Sequence, residues 1–117
     1  MANFDATTAS NGAKIKDGTK EAVEAIIDKY IFNELTVQIS DKYLEVYGYD
    51  WLNVGKDGED EDDMDFAQEF LEEIAPFLAE PLIIQCVGAE KCRFPLSAME
   101  VKVNPDGIIE WNQFKFN

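Results

Sequence analysis

Residues 82–116 read LIIQCVGAEKCRFPLSAMEVKVNPDGIIEWNQFKF, and this stretch decides the fold class. Leu82 to Val87 is an apolar run of strand length, expected as a buried central strand, and Gly88-Ala89-Glu90-Lys91 supplies turn residues after it. Pro95 cannot donate to a ladder, so the next strand is expected to begin near Ala98, with Met99, Val101 and Val103 facing the core. Asn104-Pro105-Asp106-Gly107 is the strongest turn signal in the chain. Proline presets φ at its first corner, and glycine accepts the left-handed conformation at its end. Ile108 to Phe116 returns as the last strand, so this part of the chain is entirely β.

Upstream, the period changes. Val23, Ile26, Ile27, Tyr30 and Ile31 recur at helical spacing, which predicts a first helix over Lys20 to Ile31. Leu35, Val37 and Ile39 then alternate with polar residues. The Asp41-Lys42 pair turns the chain, and Leu44 and Val46 continue the alternation through Tyr49, the pattern of a β-hairpin. Phe66, Phe70, Ile74, Phe77 and Leu78 share one face of a second helix, with Asp62, Asp63 and Asp65 at its cap and first turn and Pro81 closing it near Leu78. The predicted fold class is α+β, in the order α-β-β-α-β-β-β. Two helices pack on one face of a mostly antiparallel sheet of four to five strands. Val23, Ile26, Ile27, Phe66, Phe70, Ile74, Ile83, Met99 and Val101 are expected to be buried together. Residues 1–18, rich in small and polar side chains, read as a flexible amino-terminal arm, and residues 19–117 as a single domain.

The charge is concentrated. Between Asp57 and Glu80 there are eleven acidic residues and no basic one, which supplies most of the net charge of −14. Such a surface is repelled by nucleic-acid phosphates and anionic lipid, so neither direct nucleic-acid binding nor membrane binding is expected. The apolar runs are far shorter than the ~20 residues that span a bilayer, and the opening residues lack the basic and apolar regions of a secretory leader. The expected compartment is the cytoplasm, where Cys86 and Cys92 would be reduced and unreactive.

Catalytic chemistry finds little support. The chain has no histidine, which removes the commonest general base and the Ser-His and Cys-His nucleophile pairs. Asp50 beside Trp51 reads as a turn residue, and Gly55-Lys56-Asp57-Gly58 lacks the spacing of a phosphate loop. Cys86 and Cys92 read as small core thiols, with no histidine or further cysteine to complete a zinc site. An EF-hand frame starting at Asp57 fails because Asp62 replaces the turn glycine and Gln68 the final glutamate. No catalytic residue, metal ligand or cofactor is therefore assigned.

Two surfaces remain as binding candidates. Asp60, Glu61, Asp62, Asp63, Glu69, Glu72 and Glu73 are expected to form a negative face running from the loop over the second helix. That face suits a basic protein surface, as in an inhibitor, an immunity-type protein or a nucleic-acid mimic. Residues three and four apart on this helix repel one another, so replacing Glu69, Glu72 and Glu73 by glutamine is expected to leave folding unchanged or slightly improved. Tyr43, Tyr47, Tyr49 and Trp51 share parity along the second strand, opposite Leu44 and Val46. They form an aromatic sheet face through which a structural module would self-associate as a homodimer. A small carboxylate-dependent or divalent-metal-dependent protein is the remaining alternative. The leading expectation is a non-enzymatic acidic interaction protein.

Overall fold

In the computed structural model, residues 4–32, 35–48, 54–56, 64–90 and 93–116 are described. Among these residues nine strands, two α-helices and a 3₁₀ turn follow one another: β1 Phe4–Ser10, β2 Ala13–Lys14, α1 Lys20–Ile27, β3 Tyr30–Phe32, β4 Leu35–Ser40, β5 Tyr43–Gly48, β6 Val54–Lys56, α2 Met64–Ile74, the 3₁₀ turn Ala75–Phe77, β7 Leu82–Glu90, β8 Arg93–Val103 and β9 Ile109–Phe116. The class is α+β, with every strand pair antiparallel among the described residues. The expected four to five strands are corrected to nine. Seven of them form one sheet, in which β1 and β2 share a position in the order β4, β5, β1/β2, β7, β8, β9, and β3 pairs with β6 in a separate ribbon.

The largest correction is at the amino terminus. The segment read as an arm supplies β1, which lies between β5 and β7: Thr8 is opposite Gly48 on one side and Cys86 on the other. Its small side chains carry no hydrophobic period, but an interior strand is held by backbone ladders on both edges, which composition does not reveal. The register between β1 and β2 shifts at Asn11-Gly12. Gly12 takes φ +69°, and Asn11 binds β7 through its own N–H to the Ile83 carbonyl and through its side-chain oxygen from the Ile83 N–H. The Ser10 hydroxyl accepts the Val46 N–H at 2.9 Å, satisfying a donor that the irregularity would orphan.

The first helix stops earlier than its apolar stripe. Lys29 N–H bonds to Ile26 O, a tightened last turn, and Tyr30 and Ile31 leave the helix for β3, opposite Lys56 and Gly55. Aromatic and β-branched residues at positions seven and eight of a helical stripe satisfy a strand equally well, and the partner strand decides between them. The β4–β5 hairpin forms as expected, with Ser40 opposite Tyr43 and Asp41 at φ +59° in its two-residue loop. Pro95 does not exclude the chain from β8. It falls where the β7–β8 register is irregular, between the Gly88–Ser97 and Glu90–Arg93 pairs, a place where a missing N–H is tolerated. The β8–β9 turn closes with Asn104 N–H to Ile108 O and Gly107 at φ +94°.

One core lies between the helices and one face of the sheet. Val23 of α1 and Ala67, Phe70, Leu71 and Ile74 of α2 are buried with Leu35, Leu44, Val46, Leu82, Ile84, Val101 and Val103 of the strands. Ile26, Ile27 and Phe66 pack partly buried at its margin. Ile83 is a correction, because β7 alternates: Leu82, Ile84 and Cys86 face the core, whereas Gln85 and Val87 are exposed on the other side with Ile83 half-buried. The strand is central in the sheet, but among the described residues only one of its faces is covered. Among the described residues no helix is long and apolar enough to cross a membrane.

Candidate functional site

On α2, the three glutamates of the expected acidic face have different surroundings. Glu72 is exposed. Glu69 accepts a hydrogen bond from Lys56 Nζ of β6 at 2.9 Å. Glu73 is bound through both oxygens: Oε1 accepts from Lys29 Nζ just past α1, and Oε2 accepts from the hydroxyl of Tyr30. The ring of Tyr30 is buried and meets Phe70 edge-on at 5.4 Å, and Phe32 meets the same ring at 5.1 Å. The β3–β6 ribbon thus fixes both the aromatic contact with α2 and the two lysines that neutralise it. Asp60, Glu61, Asp62 and Asp63 lie outside the described residues.

This arrangement moves two protonation equilibria. Burial of the Tyr30 phenol, then its hydrogen bond to Glu73 and the negative charges of Glu73 and Glu69, push its pKa above the ordinary tyrosine value. For Glu73, burial acts to raise the pKa. The hydrogen bonds from Lys29 and Tyr30 and the attraction of Lys29 and Lys56 outweigh it, so the carboxyl group stays below its usual range. Opposed shifts in a bonded Tyr–Glu pair sometimes mark acid–base catalysis. Here the Tyr30 ring packs on Phe70 and its hydroxyl meets Glu73, which Lys29 also binds, so the pair clamps α2 to the ribbon.

Of the expected aromatic face, Tyr43 and Tyr47 lie among the described residues. Tyr43 and Tyr47 are 42 % and 44 % exposed, while Leu44 and Val46 between them are buried. Tyr49, Asp50, Trp51 and Cys92 lie outside the described residues. Around the tyrosines the uncovered side of the sheet is mixed: Tyr47 is opposite Thr36, and farther along Ala9, Gln85, Glu100 and Asn112 are paired in a row across β1, β7, β8 and β9. Cys86 is buried on the opposite, core side, where its sulfur accepts a hydrogen bond from the Thr8 hydroxyl at 3.1 Å. Among the described residues no group of three or more acidic, cysteine or histidine side chains is placed to hold a metal ion.

A third feature was not found from sequence. A groove of about 430 Å³ runs between α1 and β4, lined by Glu24, Ile27, Asp28, Val37, Gln38 and Ile39. Val37 and Ile39 face the core side of the sheet and Gln38 the other, so a groove touching all three lies along the outer edge of β4. Among the described residues, β4 pairs with β5 alone. Glu24 and Asp28 are exposed and one turn apart on the rim. The helix and the strand were each visible in the sequence, but their packing side by side was not. No protein-family model, no curated protein and no solved structure matches the chain.

Proposed function

We propose that this protein is a non-enzymatic interaction module that binds a basic protein surface through its acidic segment. The supporting observation is the run of eleven acids without a base between Asp57 and Glu80. Lysines from elsewhere neutralise Glu69 and Glu73. The binding charge on this reading therefore resides in Asp60, Glu61, Asp62 and Asp63 together with exposed Glu72, while Glu69 and Glu73 hold the helix in place. A partner that normally meets nucleic acid fits best, since closely spaced carboxylates would occupy its phosphate sites.

The test replaces Asp60, Glu61, Asp62, Asp63 and Glu72 by their amides, leaving Glu69 and Glu73 intact. Partners retained by the wild-type chain in a cytoplasmic extract should be basic, should elute with rising salt, and should be lost from the variant, chiefly through slower association. A partner that binds both proteins equally across the salt series would refute the reading. A second reading rests on exposed Tyr43 and Tyr47, namely assembly of two copies through the uncovered sheet face. Sedimentation of the wild type against a Tyr43→Ser, Tyr47→Ser variant decides it: only a dimer that the double substitution dissociates supports it.

A further inference from the structure

We infer that the α1–β4 groove is a docking site for an extended basic segment of a partner protein, which adds to the sheet as a strand beside β4. This rests on the basic-partner reading above but places the contact on a different surface. The argument begins with the edge. Leu35-Thr36-Val37-Gln38-Ile39-Ser40 contains no charged residue and no proline, the devices that normally protect an exposed edge from pairing. The opposite edge strand, β9, contains Glu110 and Lys115. Among the described residues no backbone hydrogen bond reaches β4 from the side away from β5, so its outward N–H and C=O groups are presented to an incoming strand.

The groove beside that edge selects the strand's side chains. Its floor is Ile27, Val37 and Ile39, its rim carries the carboxylates of Glu24 and Asp28, and none of the six lining residues is basic. Arginine and lysine suit both parts at once, for their aliphatic stems cover apolar surface while their heads reach carboxylates. Glu24 and Asp28 are about 6 Å apart along a helix axis, close to the roughly 6.8 Å between same-face residues of a strand. Basic residues at alternate positions therefore match both acids. A second copy of this chain is disfavoured as the occupant, because each copy brings a net charge of −14 and the same acidic rim.

The probe is a labelled alternating Thr/Arg hexapeptide, as long as β4. Three controls accompany it: an alternating Thr/Glu peptide, the Thr/Arg peptide N-methylated at alternate amides, and the whole chain carrying Glu24→Lys and Asp28→Lys, both exposed positions. Amide chemical shifts should move in residues 24–28 and 35–40. Affinity by fluorescence anisotropy should fall about tenfold or more on N-methylation and on the double charge reversal, with circular dichroism unchanged. Shift changes confined to α2 or to residues 57–63 would overturn the groove while leaving the acidic-segment reading standing. Absence of binding at low salt, or equal binding of the N-methylated peptide, would overturn the groove alone. A free chain that sediments as a dimer with its β4 amides protected from exchange would make a second copy the occupant and overturn the proposal.

Discussion

Replacing Glu73 by glutamine separates the role of this residue from that of its neighbour Glu72. Tyr30 is 6 % exposed, and its hydroxyl donates to a carboxylate, a bond to a charged group that contributes about 1.5–3 kcal/mol. An amide oxygen still accepts from Tyr30, but as a neutral bond of about 0.5–1.5 kcal/mol, a loss near 1 kcal/mol. The amide nitrogen then faces the Lys29 ammonium. The lost ion pair adds up to about 1 kcal/mol, discounted because the Lys29 side chain is 50 % exposed. The expected cost of Glu73→Gln is therefore about 1–2 kcal/mol in urea unfolding at neutral pH, with the m-value unchanged. Glu72→Gln, at an exposed position, should stay within about 0.5 kcal/mol of wild type. In a double-mutant cycle with Tyr30→Phe, the coupling to Glu73 should exceed about 0.5 kcal/mol. If Glu73→Gln proved as neutral as Glu72→Gln, or stabilised the chain, the clamp would be refuted.

Phe70→Ala should cost about 3–5 kcal/mol, because the ring is 2 % exposed and holds both Tyr30 and Phe32; a loss below about 1 kcal/mol would mean that α2 is packed differently. The depressed pKa of Glu73 stabilises the fold above the unfolded carboxyl value, and this contribution is lost as pH falls through the folded value. Wild type should therefore lose more stability than Glu73→Gln on acidification from about pH 6 to 3. The raised pKa of Tyr30 has the opposite sense, with stability fully present below the ordinary value of about 10 and lost as pH rises beyond it. In a native phenolate titration followed by absorbance, Tyr30 should ionise above the ordinary tyrosine value, and Tyr30→Phe should remove that step. Gly107→Ala, at φ +94° with open space around the added methyl group, should destabilise by about 1 kcal/mol or more from backbone strain alone.

What the sequence made legible was what local chemistry controls. The β4–β5 hairpin needed only Asp41-Lys42 and alternation, and the β8–β9 turn only Asn104 and Gly107, because turn residues act within a few positions of themselves. The face of α2 carrying Phe70 and Ile74 was likewise set by its own period. What stayed hidden depends on partners distant in the chain. Thr8 and Ala9 have no strand signature until β5 and β7 stand on either side of β1. Tyr30 extends a helical stripe until Val54–Lys56 pairs with β3. The apolar run of β7 predicted burial on both faces, but Val87 stands exposed, since among the described residues the core lies on the other face of the sheet.

The same distinction governs the acidic stretch. An absence of lysine within a segment shows only that compensation is not local. Lys29 reaches Glu73 across 44 residues of sequence and Lys56 reaches Glu69 across 13, so two acids that looked free for a partner support the fold. Repulsion between Glu69 and Glu73, one turn apart, is relieved by separate lysines at one end of the ribbon, one just before β3 and one at the end of β6. Tyr30, between those lysines in the fold, adds a neutral donor that costs no charge and packs its ring on the helix. A carboxylate held in this way has less to offer a partner, since a competing cation must displace a lysine already in place. Glu24, Asp28 and Glu72 take part in no ion pair among the described residues. Binding by this surface should therefore depend on acids that the fold does not use, and substitutions at Glu69 or Glu73 should alter affinity only by loosening α2 from β3 and β6.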